Sequence, residues 1–182
     1  MKQLDYKDYF NHLFPGFFER EYIRNLPEKN VAEELVIDLR DFSAEDIKLS
    51  CPEHITFGMY DGDIGALHAA IREVEEGWVE YFNKGDRIYC AFDGGKVVSF
   101  CLVNDFGVYD GLKVGGPGCV GTIPAYRRQG IGLKMVQNAT VILQKDGYDI
   151  SHIHYTAVGP WYAHMGYRTV LRWNCKGFVE EK

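Results

Sequence analysis

Along the first fifty positions the apolar residues recur at helical spacing: Tyr6, Phe10, Leu13, Phe14, Phe17 and Phe18, with Pro15-Gly16 breaking the run. The pattern predicts two short helices laying an aromatic face on the rest of the protein. The same stripe would also suit a substrate-pocket wall or a homodimer surface. Glu34 to Ile37 predicts a short strand, and Ser43 a cap for a helical turn. His54 to Tyr60 reads as the first strand of the main body, turned by Asp61-Gly62-Asp63, with Asp63 an N-cap. Ile64, Leu67, Ile71 and Val74 follow at helix spacing as far as Gly77, and Trp78, Tyr81 and Phe82 mark a second short helix.

Arg87 to Phe92 and Val97 to Val103 are rich in β-formers and are joined by Asp93-Gly94-Gly95-Lys96, a hairpin signature. A polar loop holding Asp110-Gly111 leads to a strand around Gly118 to Ile123. Glycines at 115, 116, 118 and 121 predict a bulge there, or a ligand lying close to the backbone. From Ile131 a helix puts Met135, Ala139, Ile142 and Leu143 on its inner face and Lys134, Gln137, Asn138 and Lys145 outside, ending at Gly147. A strand from Asp149 to Thr156, a short helix at Trp161 to His164 and a last strand from Tyr167 to Trp173 complete a mixed α/β order. Residues 1–50 read as an N-terminal helical and strand extension packed on a body formed by 51–182.

Composition narrows the functional classes. The 182 residues are 46% apolar and 25% charged, ordinary values for one globular domain. A net charge of -6 argues against nucleic acid as a partner. No apolar run approaches the roughly 20 residues that span a bilayer. The N-terminus carries Asp5, Asp8 and Glu19 rather than a signal-like apolar core. A cytoplasmic protein with no membrane partner is the expectation. The five cysteines are odd in number, well separated and without a Cys-x-x-Cys pair, which suits neither a disulfide framework nor a zinc knuckle.

Chemistry concentrates in Cys119 to Gly132, where a β-type run ends at Pro124 and Arg127-Arg128-Gln129-Gly130-Ile131-Gly132 opens the long helix. Unpaired amides at a helix start, with the positive end of its dipole, favour an anion. The dipole alone contributes about 1 kcal/mol, whereas micromolar binding needs about 8, so the amides of Arg128 to Gly132 must act together. No Walker loop exists here, and Met135 stands where a Rossmann fingerprint needs its last glycine.

Arg127 to Gly132 resembles the Gln/Arg-x-x-Gly-x-Gly/Ala signature of the GCN5-related N-acetyltransferases (GNAT), and Trp161-Tyr-Ala-His-Met-Gly-Tyr167 resembles that family's late Phe-Tyr-x-x-x-Gly-Phe segment. The likeness covers about residues 52 to 175. It implies a GNAT-like, mostly antiparallel central sheet flanked by helices, with 51–182 as the acyltransferase domain. It implies acetyl-CoA as acyl donor, with Thr122 and Ile123 along its pantetheine arm and Arg127, Arg128, Gln129, Gly130, Ile131 and Gly132 at its pyrophosphate. An amide near Thr122 would hold the oxyanion, and Tyr162 would protonate the departing thiolate. The family's Asn ahead of the late tyrosine is absent, Tyr155 or Thr156 falling there.

The acceptor implied is a small-molecule or peptide amine, attacking directly, with Trp78, Glu80 and Tyr81 suited to a cation. His154, Asp105 and Glu80 are unranked candidates for the base. His152 and His154 share one strand face, but no third ligand stands near them in sequence, so no metal is expected. The alternatives are a non-catalytic acyl-CoA-binding module of the same fold and an enzyme using Cys119 as nucleophile.

Overall fold

The aromatic stripe of the N-terminus folds into α1 (Tyr6–Leu13) and α2 (Glu21–Arg24). The Asp5 carboxylate starts α1 by accepting from the Lys7 and Asp8 amides at 3.0 and 3.1 Å, and Gly16 turns the chain at a φ of 67°. The computed structural model describes residues 4–180, so positions 1–3 and 181–182 of the expected domain ranges lie outside the described residues.

Eight strands follow the apolar alternation: β1 (Ala32–Asp38), β2 (Ile55–Met59), β3 (Ile88–Asp93), β4 (Lys96–Tyr109), β5 (Leu112–Thr122), β6 (Ile150–Thr156), β7 (Arg168–Asn174) and β8 (Gly177–Phe178). Three further helices are α3 (Ile64–Arg72), α4 (Ile131–Lys145) and α5 (Gly159–Ala163). The strands form one sheet in the order β2-β3-β4-β5-β6-β1-β7-β8, antiparallel throughout except between β5 and β6. The segment expected to pack on the body thus also places β1 inside the sheet, between β6 and β7.

The two faces of the sheet bury different helices. Cys90, Val98 and Phe100 pack with Leu67 and Ile71 of α3 on one face. Tyr89, Cys101 and Val103 pack with Met135, Ala139 and Leu143 of α4 on the other. α1 covers the first face over β1 and β6, where Tyr9 meets Val36, Val114 and Ile150.

Three local expectations change. Asp110-Gly111 is a two-residue turn at φ of 49° and 80°, so β4 and β5 run into a tight hairpin instead of a loop. α3 stops at Arg72, and a separate 3₁₀ segment begins at Glu76, where the Glu75 carboxylate accepts from the Gly77 amide. Gln137, expected outside, is buried because its amide donates to the Ala44 and Ile47 carbonyls at 3.1 and 2.9 Å. Gln144 likewise donates to Leu39 and Phe42, so the 39–47 loop is tied across α4.

Candidate active site

β5 and β6 pair at Val114↔Ile150 and Gly115↔Ser151 and then part. At Gly116 a Cβ would meet the His152 carbonyl oxygen at 1.8 Å, so only glycine lets the two backbones approach this closely. Past it, Gly118 faces Leu102 but Gly121 faces Phe100, which leaves one extra residue on β5, a bulge. Cys119 occupies the bulge at a φ of 47°. Counted on from Gly115↔Ser151, Cys119 stands level with Tyr155, whose φ is 54°. Each left-handed non-glycine residue costs roughly 1–2 kcal/mol. Both strands therefore bend at the level where they separate.

The edge of β5 faces the gap in a definite way. The Gly121 carbonyl accepts from Ser99 Oγ at 2.7 Å and the Ile123 amide donates to Val98 at 3.0 Å, both toward β4. Alternation turns the backbone groups of Val120 and Thr122 to the open side. The Thr122 carbonyl there accepts from Arg127 Nε at 2.9 Å. Of the two residues expected beside a pantetheine arm, Thr122 lies on this edge. Ile123 is fully buried, with its amide already bonded.

The basic turn then opens α4. Arg128 and Gly130 take left-handed φ values of 62° and 78°. Among the described residues, the amides from Arg128 through Leu133 have no protein acceptor, the first helical bond being Lys134 N–H to the Gly130 carbonyl at 3.0 Å. Such a row of inward amides is an anion nest at a helix start. The Arg127 and Gln129 side chains brace the turn, Gln129 through its amide on the Ala125 carbonyl at 3.3 Å. A cleft of about 630 Å³ joins the nest, lined by Arg127, Arg128, Gly130, Ile131 and Gly132, to the β5 edge and to Trp161 and Tyr162.

α5 brings Tyr162 into this cleft. Its start is anchored where the Gly159 amide donates to Glu33 Oε2 at 3.0 Å, and Trp161 closes against Gly132. Tyr162 is 6% exposed, and its hydroxyl keeps contact with solvent without a partner among the described residues. Burial first, then the neighbouring Tyr167, pushes its pKa well above the usual phenol value. The phenol therefore stays protonated at neutral pH, a donor aimed into the cleft.

A second cluster, of which the sequence displayed the two histidines but not the carboxylate, lies on the face opposite α4. Glu34 of β1 is fully buried. Its Oε2 accepts from His152 Nε2 at 2.7 Å and His154 Nδ1 at 2.9 Å, and its Oε1 from Trp173 Nε1 at 2.6 Å and the Tyr155 amide at 3.1 Å. Burial alone would raise this carboxyl, but His154 and the hydrogen bonds from both imidazoles outweigh it and hold the pKa at about 2. The Tyr9 hydroxyl donates to His152 Nδ1 at 3.1 Å, and burial lowers the pKa of His152, which stays neutral. Carboxylate and two imidazoles within 4.8 Å would suit a cation by type, yet each facing N–H already donates to the carboxylate.

The other two base candidates are placed elsewhere. Asp105 stands opposite Gly115, where β5 and β6 still pair, and its carboxylate accepts from the Gly107 amide at 2.9 Å. Glu80 is exposed on the 3₁₀ segment beside Tyr81, while Trp78 packs into the α3 core.

Comparison with known proteins agrees with this layout. Residues 84–169 match the acetyltransferase (GNAT) domain family. A GCN5-related glucosamine N-acetyltransferase region of a fungal multi-domain GH3 β-N-acetylglucosaminidase superposes with a TM-score of 0.63 at 20% identity, over 79% of this chain and 20% of that one. A GCN5-related N-acetyltransferase from Sphaerobacter thermophilus gives 0.60 at 20% identity, over 78% of this chain and 49% of that one. One from Kribbella flavida gives 0.55 at 17% identity, over 78% and 55%. This chain therefore spans between a fifth and just over half of those structures' lengths. No curated protein matches it. The matched stretch contains both the amide nest and Tyr162, the two features the parted strands bring together; over residues 84–169 the chain is similar to the GNAT domain family, and it shares the fold of the GCN5-related N-acetyltransferases.

Proposed function

We propose that this chain transfers an acetyl group from acetyl-CoA to a primary amine by direct attack. The observation that carries the reading is the row of unpaired amides from Arg128 to Leu133, opening onto parted strands beside a protonated Tyr162. Acetyl-CoA would supply the activated thioester. The nest would bind its pyrophosphate, with Arg127 and Arg128 adding charge. The Val120 and Thr122 backbone groups would hold an extended arm as a further strand would, and the carbonyl oxygen beside it. Tyr162 would offer its proton to the departing sulfur. A phenol above its usual value of about 10 is a weaker acid than a free thiol at about 8.5, so a strong hydrogen bond precedes any transfer.

The acceptor mouth would lie on the face opposite α4. Tyr22, Tyr81 and Tyr155 are all exposed there, and the latter two phenols are raised by burial and then in part by Tyr22 nearby. Tyrosine faces with Glu80 suit a cationic amine. Five free cysteines suit a reducing compartment, and we place the protein in the cytoplasm. No helix among the described residues is long and apolar enough to cross a membrane.

Acetyl-CoA at 100 times its Kd is expected to stabilise the fold by about 2.7 kcal/mol, read as a thermal shift. An amine panel is then expected to raise thiol release. A shift without thiol release would instead identify a binding module. Tyr162→Phe is expected to lower kcat about 100-fold while leaving acetyl-CoA affinity unchanged by calorimetry; unaltered turnover would remove Tyr162 from the chemistry. Cys119→Ala is expected to retain activity within about two-fold, because burial pushes that thiol up to about 11 and leaves little thiolate. Abolished activity in Cys119→Ala would bring back the cysteine nucleophile.

A further inference from the structure

We propose that His154 is the general base that takes a proton from the attacking amine, and that Glu34 positions it. The assignment rests on the acetyl transfer proposed above. An alkylammonium is neutral in only about one molecule in a few thousand at pH 7, so the acceptor needs a base or a water chain.

His154 has the geometry of one. Its Nδ1–H donates to the buried Glu34 carboxylate at 2.9 Å, which fixes the tautomer and leaves the Nε2 lone pair unused. Nε2 has no partner among the described residues, and since no unpartnered side-chain nitrogen is buried, it reaches solvent; the side chain is 22% exposed. The ring is clamped by Phe14, whose plane stacks on it at 4.0 Å and 11°. β6 carries His154 one residue before Tyr155, the level at which β5 bends away. It lies on the face of the three exposed tyrosines, whereas Tyr162 packs with α4 on the other side of the sheet. Base and proton donor thus approach the parted strands from opposite faces. Asp105 and Glu80 show no comparable arrangement.

The proton accounting closes. One ammonium proton passes to Nε2 and on to solvent while the Glu34 carboxylate offsets the imidazolium. The nitrogen lone pair forms the N–C bond, the C–S electron pair stays on sulfur, and the second displaced N–H proton ends on that sulfur. The titratable groups around His154 are Glu34 on β1, His152 and Tyr155 on β6, and Tyr9 on α1 through His152; Phe10, Phe14 and Phe17 complete the wall.

The test compares wild type, His154→Gln and His154→Ala by thiol release from acetyl-CoA across pH, with the best amine of the panel. Both variants are expected to lose about 100-fold or more in kcat at pH 7 with acetyl-CoA affinity unchanged. The acidic limb of the wild-type profile is expected to give way to a rate that rises about tenfold per pH unit, the free-amine fraction alone then setting the rate. Added imidazole is expected to restore part of the His154→Ala rate. Glu34→Gln, if folded, is expected to lower kcat with little change in KM, and if it does not fold the His154 variants decide alone. Variants that keep the wild-type rate and profile would overturn the base while leaving acetyl transfer standing. A wild type that releases no thiol with any amine would overturn both. Loss of wild-type activity to a chelator, restored by Zn²⁺, would overturn the base in favour of a metal on Glu34, His152 and His154.

Discussion

Glu34→Ala is expected to destabilise the fold by about 3–5 kcal/mol, the cost of removing one member of a buried hydrogen-bonded charge cluster. Four donors lose their acceptor at once: His152 Nε2, His154 Nδ1, Trp173 Nε1 and the Tyr155 amide. Neither His152 nor Trp173 can turn to water without opening the aromatic cover of α1, since both are fully buried. Linkage leads to the same size of effect. A carboxyl held at about 2, against the usual 4.5, contributes roughly 3 kcal/mol. Because the folded pKa is depressed, that stability is present above about pH 4.5 and is lost as pH falls from there toward 2. Urea titrations of the wild type at pH 7 and pH 3, beside Glu34→Ala and Glu34→Gln, check both statements. The wild type is expected to lose stability over this interval, and the variants to lose much less. An equal acid response in all three would show that Glu34 is not the group responsible. Tryptophan fluorescence, to which Trp173 inside the cluster contributes beside Trp78 and Trp161, follows the same transition.

Gly130→Ala is expected to weaken coenzyme A binding by about 30-fold to 1,000-fold, equivalent to about 2–4 kcal/mol. Two costs combine. The residue holds a φ of 78°, where an L side chain is strained by roughly 1–2 kcal/mol. Its new Cβ would also stand 1.9 Å from the Ser50 carbonyl oxygen, a backbone atom that cannot rotate aside. Either the 44–50 loop lifts or the nest flattens, and in both cases the amides from Arg128 to Leu133 stop converging. Calorimetry with coenzyme A, alongside a thermal melt, separates the outcomes. Native affinity would show that the anion is held by the arginines rather than by backbone shape.

What was legible in the sequence follows from the range of the interactions involved. The Asp93 to Lys96 hairpin, the Asp63 cap and the glycine at the start of α4 are decided within a few residues, and local spacing displays them. The nest was legible for the same reason. Gln137 was placed outside because helical periodicity cannot foresee a distant loop whose carbonyls need its amide. The β4–β5 hairpin was hidden because Asp110-Gly111 looks the same in a tight turn and a loop, and Gly107 interrupts the alternation. Glu34 was missed although a signal existed. In Glu34-Leu35-Val36 the acid shares a strand face with Val36, so it lies on a side that burial would claim. A charge there calls for partners, but His152, His154 and Trp173 lie far along the chain, which put the network beyond any local pattern.

The seat of β1 also bears on how the chain is made. Its hydrogen-bonding neighbours, β6 and β7, are synthesised roughly 120–140 residues after it, a separation that slows folding. At about 5–20 residues per second the ribosome needs on the order of ten seconds to supply them. Through that interval the Phe10, Phe14, Phe17 and Phe18 cluster has no sheet to cover, and Glu34 is a charge without donors. The amide nest and the β3–β4–β5 meander can assemble before the wall that carries His154. The half of the sheet that carries the amide nest is therefore complete in the nascent chain before β1 meets its neighbours.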